Sequence, residues 1–72
     1  MTWEELKEKA KELGCETFGR TSIKLVVDRP YVYYIFTQDG MVFFYYDYQK
    51  SNVLSKHRTP DQMYAIMEAL DD

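Results

Sequence analysis

The chain has 72 residues, 46% of them hydrophobic and 17% aromatic, which fits one ordered domain near the lower size at which folding proceeds without disulfides or metal. Nine Lys and Arg against twelve Asp and Glu give a formal charge of −3, so no long-range field draws the chain to phosphate backbones. One cysteine excludes an intramolecular disulfide, and the pattern holds neither a signal-peptide signature nor an apolar run approaching the roughly 20 residues of a membrane span, so we expect a cytoplasmic protein without membrane association.

The opening "TWEELKEKAKELG" predicts a helix. Thr2 and Glu5 have capping-box spacing, Glu4 and Glu5 sit where the helix dipole favours acids, and Gly14 supplies a left-handed stop. Trp3, Leu6, Ala10 and Leu13 form the apolar stripe, and the remaining charges read as a solvated face. "CETFGR" reads as a short edge strand. In "SIKLVVD", Ile23, Leu25 and Val27 alternate with Lys24, Val26 and Asp28, the pattern of a strand with one buried face, and Arg29-Pro30 ends it.

"YVYYIFTQDGMVFFYYDY" holds nine aromatic residues around one Asp-Gly pair. Asp39-Gly40 predicts a hairpin with a two-residue type I′ turn, which requires positive φ at both positions. That turn sets Phe36 opposite Phe43 and Tyr34 opposite Tyr45 on one side of the sheet. Ile35/Phe44, Tyr33/Tyr46 and Tyr31/Tyr48 fall on the other. A connection through Arg29-Pro30 sets Val27 opposite Val32 and Leu25 opposite Tyr34, so the Phe36 side continues the apolar face of the preceding strand. After Tyr48, "QKSNVLSKHR" reads as a polar connection with at most a few strand-like residues. Thr59-Pro60-Asp61-Gln62 then opens a second helix, with Met63, Ile66, Met67 and Leu70 as its stripe.

The expected fold is a single α+β domain over residues 1–72, a two-layer sandwich in which an antiparallel sheet of three to four strands carries both helices on one face. Its core would hold Ile23, Leu25, Val27, Val32, Tyr34, Phe36, Phe43 and Tyr45. The uncovered face would present Tyr31, Tyr33, Ile35, Phe44, Tyr46 and Tyr48, and a contiguous aromatic patch on a small monomer marks an interaction site. The plainer reading of the same pattern is a partly solvated tyrosine ladder.

Catalytic signals are missing from the pattern. His57 is the one histidine, which rules out a histidine-pair metal site or proton shuttle within one chain, and three glycines make no phosphate loop. Asp28, Asp39 and Asp47 lack calcium-loop spacing, and Cys15 reads as a small core residue. We therefore expect no enzyme, no cofactor and no small-molecule substrate. Lys50, Lys56, His57 and Arg58 form a candidate anion contact near the start of the second helix, with an ordinary solvated loop as the simpler reading.

"GMVFFYYDY" resembles the aromatic strand of RNA-recognition sheets. It departs from that family in Asp39 where a basic residue precedes the glycine, in the missing second small residue and in the order of elements. The ends "TWEELKEKAKELG" and "RTPDQMYAIMEAL" resemble those of small proteins of bacterial and phage mobile elements. That resemblance implies a small acidic protein that binds and blocks a host protein, such as defence machinery in the manner of anti-CRISPR proteins. The expectation is thus a non-enzymatic protein-interaction module acting on a larger partner. A single-stranded nucleic-acid binder is the alternative, and a structural homodimer a third. Charge separates the first two, since nucleic acid would need a cationic groove from Lys24, Lys50, Lys56 and Arg58, whereas a basic protein partner would meet Glu8, Glu12 and Asp72.

Overall fold

Each strand of the sheet pairs with the next in the chain. The computed structural model describes residues 1–70, Ser51 by its backbone alone, so Asp72 of the expected acidic surface lies outside the described residues. Helix α1 (Trp3–Glu12) precedes β1 (Glu16–Phe18), β2 (Ser22–Val26), β3 (Val32–Thr37), β4 (Val42–Tyr46) and β5 (Gln49–Ser55), and α2 (Pro60–Leu70) closes the described chain. The strands form one antiparallel meander in the order β1-β2-β3-β4-β5.

The helix ends are fixed by the residues that the spacing singled out. The Thr2 hydroxyl accepts the Glu5 N–H at 3.2 Å while the Glu5 carboxylate accepts the Thr2 N–H at 2.9 Å. The second of these bonds is the main reason the Glu5 carboxyl titrates below its ordinary range. Gly14, at φ 88°, ends α1 in a left-handed cap, with Cys15 N–H donating to the Ala10 carbonyl at 2.9 Å. Thr59 and Gln62 repeat the reciprocal cap at the start of α2, at 3.0 and 3.2 Å.

Both apolar helix stripes press on one face of the sheet. Trp3, Leu6 and Ala10 of α1 and Met63 and Met67 of α2 pack over Ile23, Leu25, Phe36 and Val42, with Cys15 buried beside them. The Trp3 indole N–H donates to the Arg20 carbonyl at 3.0 Å, which pins α1 to the β1–β2 turn. The α+β sandwich is as expected, but the sheet has five strands rather than three or four. The polar segment after Tyr48 is a full strand, β5, whose pairing with β4 shifts register twice, and those irregularities erase the alternation by which a strand is read.

The β2–β3 register is the expected one, with Leu25 opposite Tyr34 and Ile23 opposite Phe36. The β3–β4 register differs by one residue. Phe36 faces Val42, Ile35 faces Phe43, Tyr34 faces Phe44 and Tyr33 faces Tyr45. The cause lies in the connecting loop. Of Asp39 and Gly40 only Gly40 has positive φ, at 89°, so a type I′ turn is not formed. Instead Gly40 N–H donates to the Thr37 carbonyl at 3.0 Å and Thr37 pairs with Met41, leaving a three-residue loop of Gln38, Asp39 and Gly40. The Thr37 hydroxyl holds this loop by accepting the Met41 N–H at 3.1 Å and by bonding the Asp39 carboxylate.

A one-residue slip turns every side chain of a strand to the opposite face. Phe44 and Tyr46, expected on the uncovered side, therefore lie on the helix side with Tyr34 and Phe36. Phe43 and Tyr45, expected in the core, lie on the uncovered side, and Val42 fills the core in their place at 1% exposure. The type I′ turn is found one hairpin later, at Asp47-Tyr48, with φ of 55° and 63° between the paired Tyr46 and Gln49. At the opposite end of the sheet, Gly40 is buried against the β5–α2 connection, where Arg58 N–H donates to its carbonyl at 2.9 Å.

Candidate functional site

Residues opposite one another in an antiparallel pair share a face, so the register assembles the uncovered surface row by row. One row runs Glu16, Lys24, Ile35, Phe43, Val53 across all five strands, and the next runs Val26, Tyr33, Tyr45, Lys50. Phe18 joins at the β1 edge opposite Ser22, with 64% of its surface exposed. Strands supply these positions because β-branched and aromatic side chains suit the pleat on either face, and helices cover only one.

The centre of the face is ordered by ring contacts. Tyr33 and Tyr45 stack with centroids 5.0 Å apart and planes within 9°. The Lys24 ammonium lies 4.4 Å from the centroid of Tyr33, and that of Lys50 lies 4.8 Å from the centroid of Phe43. Lys24 reaches in from β2 and Lys50 from β5, so both cations lean towards the middle strands. Between β1 and β4 the face dips into a cavity of about 250 Å³ lined by Phe18, Ser22, Lys24, Tyr33, Ile35 and Tyr45. Loss of solvation, and then the neighbouring Tyr45 and Tyr48, push the Tyr33 phenol above its ordinary range.

Tyr31, Tyr33 and Ile35 stand on or beside this face as expected. Tyr48 sits in the β4–β5 turn, and its ring lies 6.4 Å from Tyr33 and 6.5 Å from Tyr31. Tyr31 meets Tyr46 edge-on at 5.9 Å across the end of the sheet, whereas Phe44 packs against Tyr34 at 5.1 Å on the helix side. The expected basic cluster is divided. Lys50 belongs to the open face, while Lys56, His57 and Arg58 lie beyond the far end of β5, about 20 Å along the strand by its rise per residue. His57 is exposed with φ 58°, and Arg58 offers its backbone to Gly40.

Three residues of the face, Phe18, Phe43 and Tyr45, were not foreseen as contact residues, whereas Lys24 was expected on the tyrosine side. The period-two alternation of "SIKLVVD" places Lys24 opposite the buried Ile23 and Leu25, which is signal enough for that one. Among the described residues no group of three His, Cys, Asp or Glu side chains is placed to hold a metal ion, and no helix is long and apolar enough to cross a membrane. No family model, curated protein or solved structure matches the chain.

Proposed function

We propose that the protein is a non-enzymatic interaction module that docks a larger protein on its open sheet face. The observation that carries this reading is the uncovered face on which Phe18, Tyr33, Ile35 and Tyr45 line a cavity able to take one side chain, with Phe43 beside Ile35 in the same row. Aromatic anchors beside a desolvated pocket are where binding energy concentrates in protein interfaces. The action we assign is occlusion of a host protein, in the manner of the mobile-element inhibitors whose ends the helices resemble. The arrangement of the rings favours protein over nucleic acid. Base stacking needs an open ring face, and Tyr33 is flanked by Lys24 and stacked on Tyr45 while Lys50 lies over one face of Phe43.

The test is comparative capture of host proteins by the wild type, by Tyr33→Ser/Tyr45→Ser and by Glu8→Lys/Glu12→Lys. A stoichiometric partner retained by the helix variant and lost by the sheet variant is the expected result. A partner lost only by the helix variant would move the site to the acidic surface of α1 and overturn the assignment.

A further inference from the structure

The open face keeps two cations among its rings. Lys24 and Lys50 each rest on an aromatic ring near its middle, and among the described residues no carboxylate lies within ion-pair distance of either ammonium. The wider charge distribution runs the same way. Residues 15–59, which build the sheet and its turns, carry six Lys or Arg against four Asp or Glu, whereas the two helical ends hold three against eight. The sheet segment is thus net positive in sequence and the helical segments net negative, and on the open face itself Lys24 and Lys50 stand against Glu16 alone.

A partner that covers this face must strip water from both ammonium groups. Burying a charge without a counter-charge is strongly unfavourable, and a cation–π contact alone offsets only part of the loss. We infer that the partner is an acidic protein segment, one that seats an apolar side chain in the cavity between Phe18 and Tyr45 and brings carboxylates to Lys24 and Lys50. This rests on the docking function proposed for the face and specifies what docks there.

Two other occupants fit less well. A second copy, packed face to face, brings two more lysines to the interface and only Glu16 as a carboxylate in the facing rows, so like charges predominate. A single-stranded nucleic acid supplies anions, but it finds Tyr33 flanked by Lys24 and one face of Phe43 taken by Lys50, and it is repelled at long range by the net negative helical segments. An acidic apolar segment satisfies the cations and the cavity together.

The experiment is an amide-resolved NMR titration of the full chain with a capped hexapeptide Glu-Glu-Leu-Phe-Glu-Glu, with its lysine counterpart Lys-Lys-Leu-Phe-Lys-Lys and with a short oligothymidylate. The acidic peptide should shift Lys24, Tyr33, Ile35, Phe43 and Tyr45, bind more weakly as salt rises, and lose about tenfold in affinity to Lys24→Gln/Lys50→Gln. Equal or tighter binding of the basic peptide at the same residues would overturn the charge assignment while leaving the face a docking site. Preferential shifts with oligothymidylate, or shifts at these residues on raising protein concentration alone, would overturn it in favour of nucleic acid or a second copy. No shift at the face with any probe at millimolar concentration would remove both the inference and the docking function beneath it.

Discussion

Replacing Gly40 by alanine tests the loop that sets which aromatic residues face outward. Three terms contribute. An L-residue held in the left-handed region, here φ 89°, is disfavoured by about 1–2 kcal/mol. A Cβ at this position would stand 2.7 Å from the Arg58 carbonyl oxygen and 2.8 Å from its nitrogen, and both are backbone atoms that cannot swing aside. Relief of that overlap separates the β3–β4 loop from the β5–α2 connection and breaks the 2.9 Å bond from Arg58 N–H to the Gly40 carbonyl, worth about 0.5–1.5 kcal/mol. Lower entropy of the unfolded alanine chain returns about 0.4–1 kcal/mol. These terms sum to a net loss of about 0.5–3 kcal/mol, against a total stability of about 4–11 kcal/mol typical of a chain this size. Thermal and urea unfolding followed by circular dichroism should therefore show a melting temperature lower by up to roughly 20 °C, with an unchanged urea slope. Gly14 is the internal control, since it shares a positive φ of 88° but has nothing within 4 Å of an added Cβ, so its alanine variant should lose only about 1 kcal/mol. Equal losses for the two variants would refute the packing of Gly40 against Arg58 and with it the basis for the loop.

Phe36→Ala removes a fully buried ring at the centre of the core and should lose about 3–5 kcal/mol, whereas Phe18→Ala, on the open edge, should stay within about 0.5 kcal/mol of wild type by urea unfolding. Tyr48→Gly relieves positive φ at the second position of the Asp47-Tyr48 turn, and it should raise stability by up to about 1 kcal/mol, read as a higher urea midpoint; a fall of that size would mean that ring contacts with Tyr31 and Tyr33 outweigh the strain. The depressed titration of Glu5 gives its cap a definite pH dependence. Folding holds the deprotonated form, so the contribution is complete above about pH 4.5 and is lost as pH falls through the lower folded value; Glu5→Gln should flatten that part of the stability profile.

How much of this was legible in the sequence depended on whether local chemistry had more than one solution. The helix ends had one each, since Thr2/Glu5, Gly14 and Thr59/Gln62 can satisfy exposed backbone groups in a single manner, and the structure uses them so. The β2 face was legible because Ile23 and Leu25 alternate with Lys24 and Val26. In β4 the run "VFFYY" is apolar or aromatic at every position, so its pattern selects no face and its register follows from the loop alone. Asp39-Gly40 is compatible with a two-residue or a three-residue loop, and the Thr37 hydroxyl, bonded to Asp39 and Met41, holds the longer one. The existence of an aromatic open face could thus be read, but the membership of Phe43 and Tyr45 rather than Phe44 and Tyr46 could not. Lys50 was separated from Lys56, His57 and Arg58 for a related reason, because the polar segment joining them is an extended strand rather than a loop.

The measurement that bears most directly on the open face is the solution mass across a concentration series for the wild type and for Tyr33→Ser/Tyr45→Ser, with a thermal melt of each. A surface kept for an acidic partner predicts a monomer at every concentration for both proteins, and a variant that still folds cooperatively because the core lies on the other side of the sheet. A dimer that dissociates to a folded monomer on mutation would show that the face is consumed by self-association, and an unfolded variant would show that Tyr33 and Tyr45 belong to the core.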